Sequence, residues 1–419
     1  MFAHIDADAF FASVLQRKYP RLKGKALLAL GMGGGCVIAA SYEAKAKGVR
    51  TGMRLVDAKK IVPEAIFLPA DFHATYDATR QLFALFEKFC PGGVEHASPD
   101  EGYLDLTHTR RSVAFHTSTN GWESFAREIQ SESDRFLDLP ISIGIAPTKT
   151  LAKMGSKHRK PKGICIIEEK DREAFLGEKD ISSIPGIGWK STPKMKKLGF
   201  LTAFDFAHAD PLIIEKVLGK TGLELQREIR GEAIYKVITN PPPPKSISRC
   251  RSFRGTNDRN FLYSQVMTHL QRCSSKLRRH ELECARIGIW FRGADYKSGA
   301  SAERSIGRYV AEESLLMPSV REMFEEVIQT QARLPLVALR SRAKWGAPTR
   351  FTQAGLVLSD FRPKGSRQIS LFEEPESHEE IAALQISVDL LRKKYGTESV
   401  RFGGSILFHG THPSWGALE

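Results

Sequence analysis

The sequence predicts an α+β protein of several domains, and three observations support this. Its 419 residues are enough for roughly three domains of ordinary size. Short apolar strands alternate with amphipathic helices over the first 170 or so residues. The pattern then becomes helical, and after residues 241–244, a run of four prolines typical of a stiff spacer, it becomes a mixture of strands and helices.

The elements of the first region follow from apolar runs that are bounded by turn residues. Strands are predicted at residues 2–6, 36–40, 102–106, 141–146 and 164–167. Helices are predicted at residues 10–17, 41–47, 54–61, 75–89 and 123–136. Asp8 is expected to cap the first helix, and the glycines of residues 31–35 predict a turn.

The elements of the second half follow in the same way. The segment Ile-Pro-Gly-Ile-Gly at residues 184–188 opens a helical region that is expected to end near Gly231. Beyond the prolines, strands are predicted at 246–254, 285–292 and 351–358, and helices at 261–280 and 318–331. A polar, acidic stretch at 364–378 predicts a flexible linker before a last helix at 379–395.

The charge balance indicates which kind of molecule the protein binds. Lys and Arg number 62 against 48 Asp and Glu, a net charge of +14, and the last 47 residues are acidic, so the basic excess lies in the body. A basic body with an acidic tail favours nucleic acid over a membrane. No apolar stretch is long enough for a membrane span, and the six cysteines contain no C-x-x-C pair, which predicts reduced thiols and a cytoplasmic protein.

Acidic residues at predicted strand ends are the first candidates for chemistry. Asp6 ends the first strand, two residues before Asp8, and Asp100 and Glu101 begin another. Divalent metals need hard oxygen ligands on a rigid frame, although an Asp at a strand end is more often a cap, as expected of Asp8. Neighbours in a strand point to opposite faces, so Asp100 and Glu101 share a site only if the backbone twists, which Pro99 favours.

Three blocks resemble signatures of the Y-family DNA polymerases, the translesion enzymes of the DinB and UmuC type. They are HIDADAFFAS from His4, ASYEAK from Ala40 with GVRTGM from Gly48, and SPDEGYLD from Ser98. The resemblance runs from residue 2 to about residue 362. It implies a right-hand polymerase with a palm at 1–18 and 74–168, small fingers at 19–73, a helical thumb with a helix-hairpin-helix at 169–240, a little finger at 241–363 and an acidic tail at 364–419.

The resemblance also implies the reaction. It is template-directed DNA synthesis past damaged bases, by two-metal phosphoryl transfer from a dNTP to a primer 3′-hydroxyl. Asp6, Asp100 and Glu101 match the catalytic acids that bind two Mg²⁺ ions, and Ala7 matches the residue whose backbone carbonyl completes one metal site. One ion helps to activate the hydroxyl, and the other binds the triphosphate and the leaving pyrophosphate.

Two residues beside these ligands depart from the family pattern. Pro99 stands where isoleucine is usual, and Gly102 stands where alanine or a larger residue is usual. Both change the stiffness of the backbone, so lower activity is expected without loss of a ligand.

The resemblance implies a nucleotide pocket with five members. Phe10 and Phe11 point about 100° apart on a helix, so both cannot lie in one core, and Phe11 matches the ring that excludes a ribose 2′-hydroxyl. Tyr42 and Lys45 share a helical face, which alone would be read as a solvated surface but matches triphosphate contacts. Lys160 matches a further triphosphate lysine within a basic run, residues 149–162, that should line the phosphate side of the site.

Two regions are expected to hold DNA. Gly186 and Gly188 resemble a helix-hairpin-helix turn that contacts phosphate through backbone N–H groups. Lysines follow it at positions 190, 194, 196 and 197. The strand at 285–292 alternates, with Ile287, Ile289 and Phe291 on the face that should pack on helices. The other face carries Arg286, Trp290 and Arg292, which suits either a DNA backbone or an ordinary exposed sheet.

The tail supplies one candidate partner. Gln368 to Phe372, Gln-Ile-Ser-Leu-Phe, is similar to a sliding-clamp-binding peptide, although five residues match by chance fairly often. The expected partners are therefore primer-template DNA, dNTP and a clamp, with no membrane, and a monomer apart from the clamp contact. Two other functions compete: a catalytically silent relative that serves as a scaffold, and a nucleotide cyclase. The three acids argue against the first, and the thumb turn, little finger and clamp-like peptide argue against the second.

Overall fold

The chain divides into two compact units in the computed structural model, Met1–Pro241 and Pro242–Glu419, so the boundary falls within the proline run. The structure describes residues 1–31, 34–108, 119–295, 298–333, 350–366, 375–396, 399–401 and 403. None of the helices in these ranges combines the length and apolar character needed to cross a membrane.

The first unit is built on a five-stranded sheet. Its strands are β1 (Phe2–Ala7), β5 (Val94–His96), β6 (Glu101–Asp105), β7 (Ile141–Ala146) and β8 (Ile164–Ile166). The order is β5-β6-β1-β7-β8, which places β1 at the centre. β1 runs antiparallel to both β6 and β7, and only β7 and β8 are parallel. The sequence predicted four of these strands and missed the three-residue β5.

Helices cover both faces of this sheet. On one face, α4 (Phe72–Phe89) and α5 (Thr119–Glu132) bury Leu82, Phe86 and Phe125 against the inward residues of β1, β6 and β7. On the other face lies α6 (Lys149–His158), whose Leu151 and Ala152 belong to a second core. Gly144 of β7 allows α6 to approach closely, because a Cβ there would lie 2.1 Å from the Ala152 carbonyl oxygen.

A smaller sheet is inserted between β1 and α4. It contains β2 (Leu27–Leu30), β3 (Val37–Ala40) and β4 (Ile66–Pro69) in the order β3-β2-β4. The helices of this region are α1 (Phe10–Lys18), α2 (Tyr42–Ala46) and α3 (Leu55–Ile61). The sequence did not predict β2 and β4, since an apolar run as short as Leu-Leu-Ala-Leu shows no period that separates a strand from a buried helix turn.

Three short helices and one long helix complete the first unit, as expected between residue 170 and Gly231. They are α7 (Arg172–Gly177), α8 (Thr192–Lys197), α9 (Ala203–His208) and α10 (Pro211–Ile229). Ile184, Met195 and Phe206 are buried and pack in one core with Leu151 of α6. The buried Glu228 of α10 accepts a hydrogen bond from the backbone N–H of Thr150 (3.1 Å). These contacts fasten the helical region to α6.

The second unit is a four-stranded antiparallel sheet with helices on one face. Its strands are β9 (Ser246–Thr256), β10 (Leu282–Gly293), β11 (Gly299–Val310) and β12 (Phe351–Pro363), in the order β11-β10-β12-β9. Its helices are α11 (Arg259–Arg279), α12 (Glu313–Arg333) and α13 (Pro375–Tyr395). The predicted α+β architecture is confirmed in both units.

Two expectations for the second unit need correction. The sequence did not predict β11, because most of its side chains are polar or small and, apart from Val310, its apolar positions are only partly buried. The sequence predicts that α12 begins at Pro318, where proline would suit a first helical position. The helix begins instead at Glu313, and Pro318 lies inside it.

Candidate active site

The site lies at the end of the central strand β1. Asp6 faces Glu101 of β6 in the antiparallel register, and Ser142 of β7 lies opposite Asp6 on the other side. His4 and Asp6 are two residues apart on the same strand, so their side chains share a face of the sheet. The centre of a five-stranded sheet is a rigid support for side chains that must hold a fixed geometry.

Asp100 reaches the site from a turn rather than from a strand. The Ser98 hydroxyl accepts hydrogen bonds from the backbone N–H groups of Asp100 (3.3 Å) and Glu101 (3.2 Å), and it donates to Asp100 Oδ1 (2.5 Å). The Asp100 carbonyl accepts a hydrogen bond from the N–H of Ala7 at 2.8 Å, and β6 begins only at Glu101. The irregular start that Pro99 favoured is therefore present, and it brings consecutive acids to one end of the sheet.

Two lysines neutralise the site acids. Lys160 donates a hydrogen bond to Asp6, and Lys153 of α6 donates one to Glu101 Oε1 at 2.7 Å. Burial raises the pKa of Asp6, although the positive charge of Lys160 acts to lower it. The adjacent His4 and Lys153 hold the pKa of Glu101 down to about 2. The site therefore holds negative charge that needs cations beside it.

His4 contacts the Glu101 carboxylate on the buried side of the site. Its ring is fully buried, with Nδ1 2.7 Å from Ser156 Oγ and Nε2 3.4 Å from Glu101 Oε2. It also packs edge-on against Tyr103, with the ring centroids 4.6 Å apart. Burial lowers the pKa of His4, which favours the neutral imidazole. We did not predict this contact from the sequence, although the spacing of two between His4 and Asp6 places them on one face.

Asp8 does not cap α1, contrary to expectation. The residue before the helix is Ala9, in the left-handed region at φ 49°, and no side chain caps the first turn. The Asp8 carboxylate is fully buried and accepts hydrogen bonds from Ser142 Oγ (2.8 Å), the Lys162 backbone N–H (2.7 Å) and Tyr42 Oη (3.1 Å). Asp8 therefore joins the central sheet to the inserted region that carries Tyr42.

Tyr42, Lys45 and Lys160 meet beside Asp6 and Asp8. Lys45 Nζ lies 4.3 Å from the centroid of the Tyr42 ring, which confirms that both side chains share a face of α2. Burial, and then the charge of Lys160, lower the pKa of Lys45. Burial and Asp8 raise the pKa of Tyr42, so its hydroxyl remains protonated and can donate. The expected triphosphate contacts are thus neighbours of the acids.

The two adjacent phenylalanines separate as their helical positions require. Phe10 is 2% exposed and packs in the core of the larger sheet. Phe11 is partly buried against the core of the inserted sheet, edge-on to Phe10 and to Phe72 with 5.9 Å between the centroids in each pair. Of the two rings, Phe11 is the one accessible to a ligand.

The donor set suits Mg²⁺, since every side-chain donor at the strand ends is a carboxylate oxygen. Within the described part of the chain, no three acidic, histidine or cysteine side chains converge as a metal cluster. The carboxylates of Asp6 and Glu101 instead each bind a lysine ammonium. These lysines show that the two carboxylates accept a cation. The negative charge of Asp100 lies near enough to raise the pKa of Asp6, so the third acid is also part of the site.

The basic run at 149–162 contributes less than expected. Lys153 and Lys160 bind the site acids, but Lys149 is buried and donates to Glu95 Oε2 at 2.6 Å. Lys162 pairs with Asp134 on the surface. Lys149, Lys153 and Lys157 share one face of α6, whereas Lys162 lies beyond the end of the helix, so only part of the run reaches the site acids.

A cleft of about 550 Å³ opens beside Glu101. Its lining includes Lys153, Pro185 and Gly186. Gly186 has φ +99°, a conformation that favours glycine in the turn. α8 begins four residues after Gly188, and the side chain of Trp189, which the sequence did not single out, is 81% exposed beneath Lys190. The predicted helix-hairpin-helix turn therefore borders the same cleft as Glu101.

The sheet of the second unit shows the predicted alternation. Ile287, Ile289 and Phe291 are buried under α11 and α12, which confirms that expectation. On the opposite face, Trp290 covers Gly355 so closely that a Cβ on the glycine would lie 2.2 Å from the indole, and the Arg292 guanidinium lies 5.2 Å from the Trp290 ring. This face presents a stacked aromatic and basic pair.

The fold resembles that of solved DNA polymerases. A Y-family DNA polymerase chimera matches 87% of this chain and 99% of its own length, with a TM-score of 0.71 and 23% identity. DinB from Sulfolobus solfataricus matches 85% of this chain and 98% of its own, with a TM-score of 0.54 and 25% identity. The class of protein that this fold defines is the Y-family DNA polymerase.

Sequence comparisons agree. The impB/mucB/samB family matches residues 5–157, and the C-terminal domain of that family matches residues 244–371. DNA polymerase IV of Xanthomonas axonopodis pv. citri is 31% identical over 85% of this chain and 93% of its own length. Protein ImpB of Salmonella typhimurium is 28% identical over 99% of this chain and 94% of its own length. The chain belongs to the impB/mucB/samB family of Y-family DNA polymerases.

Proposed function

We propose that this DNA-directed DNA polymerase copies damaged templates by transferring a nucleotide from a dNTP to a primer 3′-hydroxyl. The observation that carries the proposal is the pairing of Asp6 with Glu101 across β1 and β6, with Asp100 joined to Ala7 by a backbone hydrogen bond of 2.8 Å. Three acids on a rigid sheet end, next to two lysines and a tyrosine that could contact phosphate, suit phosphoryl transfer.

Asp6, Asp100, Glu101 and the Ala7 carbonyl would hold two Mg²⁺ ions. Bound there, the ions supply the positive charge that stabilises a phosphoryl group during transfer. The His4 ring lies against the Glu101 carboxylate on the buried side, with Nε2 3.4 Å from Oε2, and its Nδ1 contacts Ser156. The pKa of about 2 keeps Glu101 ionised at neutral pH, as a metal-binding carboxylate must be.

Lys160, Lys45 and Tyr42 are proposed to bind the triphosphate. Lys160 is paired with Asp6, and an incoming triphosphate offers its ammonium an alternative anion. Tyr42 donates to Asp8 and remains a donor at neutral pH because burial raises its pKa. Phe11, held by Phe10 and Phe72, is proposed to lie against the sugar and to exclude a 2′-hydroxyl by shape.

Two surfaces are proposed to hold the primer-template. The Gly186 turn with Trp189 and Lys190 borders the cleft beside Glu101, and it offers backbone N–H groups and positive charge. Trp290 and Arg292 offer a stacked basic face in the second unit. Both suit contacts to the phosphate backbone, which carry no sequence preference. Such contacts would allow any template to be copied.

A sliding clamp is the proposed protein partner. The peptide from Gln368 to Phe372 lies outside the described residues, so the proposal rests on its sequence alone. Tethering to a clamp would raise the local concentration of an enzyme that adds few bases per encounter. Deleting residues 368–372 should abolish clamp pull-down, and unchanged recovery would reject the assignment. We place the protein in the cytoplasm with its DNA.

A primer-extension assay tests the proposed function. The full chain is mixed with dNTPs, Mg²⁺ and a labelled primer on two templates, one undamaged and one with an abasic site. We expect template-dependent extension on both, complete loss with excess chelator, and recovery with added Mg²⁺. Binding to DNA without extension would favour the scaffold instead. Conversion of a nucleotide to a cyclic product without a primer would favour the cyclase.

A further inference from the structure

The last helix, α13, is fastened to the second unit by its polar side. Arg392 is 5% exposed and donates to both oxygens of the fully buried Glu313, at 2.7 and 3.0 Å. Arg278 of α11 donates to Asp389 at 2.6 and 2.8 Å and to Glu313 at 3.0 Å. Gln385 is also buried. Breaking such a network leaves an unpaired buried charge, so the helix is held in one orientation.

Apolar side chains of α13 face solvent as a result, with Ile386 and Leu390 on one side of the helix and a longer row on the other. Five residues repeat with the spacing 3, 4, 3 and 4, which places them in a single stripe along the helix. They are Ile381, Leu384, Val388, Leu391 and Tyr395. Leu384 is 66% exposed, Leu391 45% and Tyr395 64%, and the other two are partly exposed. Globular helices normally bury the apolar face, so this inverted arrangement indicates a partner.

The edges of the stripe restrict what the partner can be. On one edge, Gln385 and Arg392 are buried in the unit itself and cannot reach a partner. On the other edge lie Glu380, Ser387 and Lys394, all exposed. Glu380 and Lys394 place opposite charges at the two ends of this edge. When a second copy of the helix runs in the reverse direction, each Glu380 therefore lies opposite a Lys394. The arrangement therefore matches a second α13 that runs antiparallel.

We propose that α13 is the interface of a weak two-fold homodimer. In an antiparallel pair the positions 381 and 388 face the positions 384 and 391 of the second copy. Leu384 therefore packs against Val388 of the second copy, and Ile381 packs against Leu391 of the second copy. Glu380 pairs with Lys394 of the second copy on both sides of the axis. The contact is isologous, as in most homodimers.

A parallel pair is disfavoured on the same grounds. In parallel coiled coils the charged contacts join the two different edges of the stripe. Here one of those edges, with Gln385 and Arg392, is already occupied within the unit. Two heptads also make a short interface, which predicts dissociation in the micromolar range. The protein would then be a monomer when dilute, as the family resemblance implies, and a dimer when concentrated.

Sedimentation of the full chain from about 1 to about 100 µM tests the proposal. We expect the wild type to shift from monomer to dimer across this range and Leu384→Glu to remain a monomer. Ile386→Glu is the matched control, because Ile386 is 55% exposed on the same helix but lies outside the stripe. It should dimerise like the wild type. Primer extension per chain should be unchanged in both variants, which separates this proposal from the proposed function.

Charge reversal tests the antiparallel register. Glu380→Lys and Lys394→Glu should each weaken the dimer about tenfold, because each places like charges together at both ends. Mixing the two variants should restore dimers, since every pair is then opposite in sign, and so should the double variant. A wild type that stays monomeric at the highest concentration overturns the proposal. Dimers that persist in Leu384→Glu, or a mixture without recovery, overturn it as well.

Discussion

Asp6 and Asp8 lie two residues apart at one strand end, yet their carboxylates have different environments. Asp6 is close to the surface of the site and binds Lys160, whereas Asp8 is fully buried and accepts hydrogen bonds from Ser142 and Tyr42. Sequence spacing identified Asp6 through the family blocks, but it assigned Asp8 to a cap. The partners of the Asp8 carboxylate lie 34 to 154 residues away in the chain, so no local pattern could reveal them.

Phe11 is expected to select the sugar. Replacing Phe11 with Ala removes the ring that lies between Phe10 and Phe72, and a 2′-hydroxyl then fits. The ratio of dNTP to rNTP incorporation, measured as kcat/KM for each, should fall by roughly a hundredfold. Phe10→Leu is the control, because Phe10 is a core residue and its loss should lower stability without changing the ratio. A Phe11→Ala enzyme that still rejects ribonucleotides would refute the assignment.

At the scale of elements, periodic segments were the predictable ones. The long amphipathic α4 and the alternating β10 were found with their buried faces, because burial imposes the period. The irregular start of β6 needed an additional cue, Pro99, and the hydrogen bonds of Ser98 complete it. The mostly polar β11 and the short β2 and β4 carry no such pattern, and only their tertiary partners make them strands.

The close packing around Gly102 explains why glycine stands where the family usually has alanine or a larger residue. A Cβ there would lie 2.9 Å from the Phe83 ring and 3.0 Å from the Glu95 carbonyl oxygen, and Phe83 is itself stacked on His96 at 3.6 Å. Gly102→Ala should therefore destabilise the chain by about 1–3 kcal/mol in urea unfolding. Adding Phe83→Leu should recover part of the loss, since the smaller side chain can move.

The control for this substitution is Gly177→Ala in α7. Apart from the neighbouring residues and the helix's own backbone, no atom lies within 4 Å of a Cβ at this position, so the substitution should be neutral or slightly stabilising. If Gly102→Ala is as stable as the wild type, the close packing between β6 and α4 is not as described here.

At the scale of the molecule, the net charge of +14 is divided between units that both offer basic aromatic surfaces. The Trp189 and Lys190 pair lies in the first unit, and the Trp290 and Arg292 pair in the second. The sequence predicted the second pair from strand alternation. The sequence did not predict the exposure of Trp189, because a turn has no periodicity that separates outward-pointing from buried side chains.

Arg292 is expected to contribute one phosphate contact. The logarithm of the DNA association constant should fall linearly with the logarithm of salt concentration, and Arg292→Gln should reduce that slope by about one. The matched control is Arg304→Gln on β11, since Arg304 is already paired with Glu322 and Glu326. Equal slopes for the wild type and Arg292→Gln would remove this face from the DNA contact.

The central claim is that the acids at the end of β1 and β6 perform nucleotide transfer. Single-turnover incorporation of one dNTP tests it with Asp6→Asn, which keeps the shape of the side chain and removes its charge. Asp105→Asn is the matched control, because Asp105 lies on β6 and accepts a hydrogen bond from the Thr107 N–H that an amide can also accept. We expect Asp6→Asn to bind primer-template normally and to be slower by about a thousandfold or more, with Asp105→Asn near the wild type. Incorporation by Asp6→Asn at the wild-type rate would contradict the account.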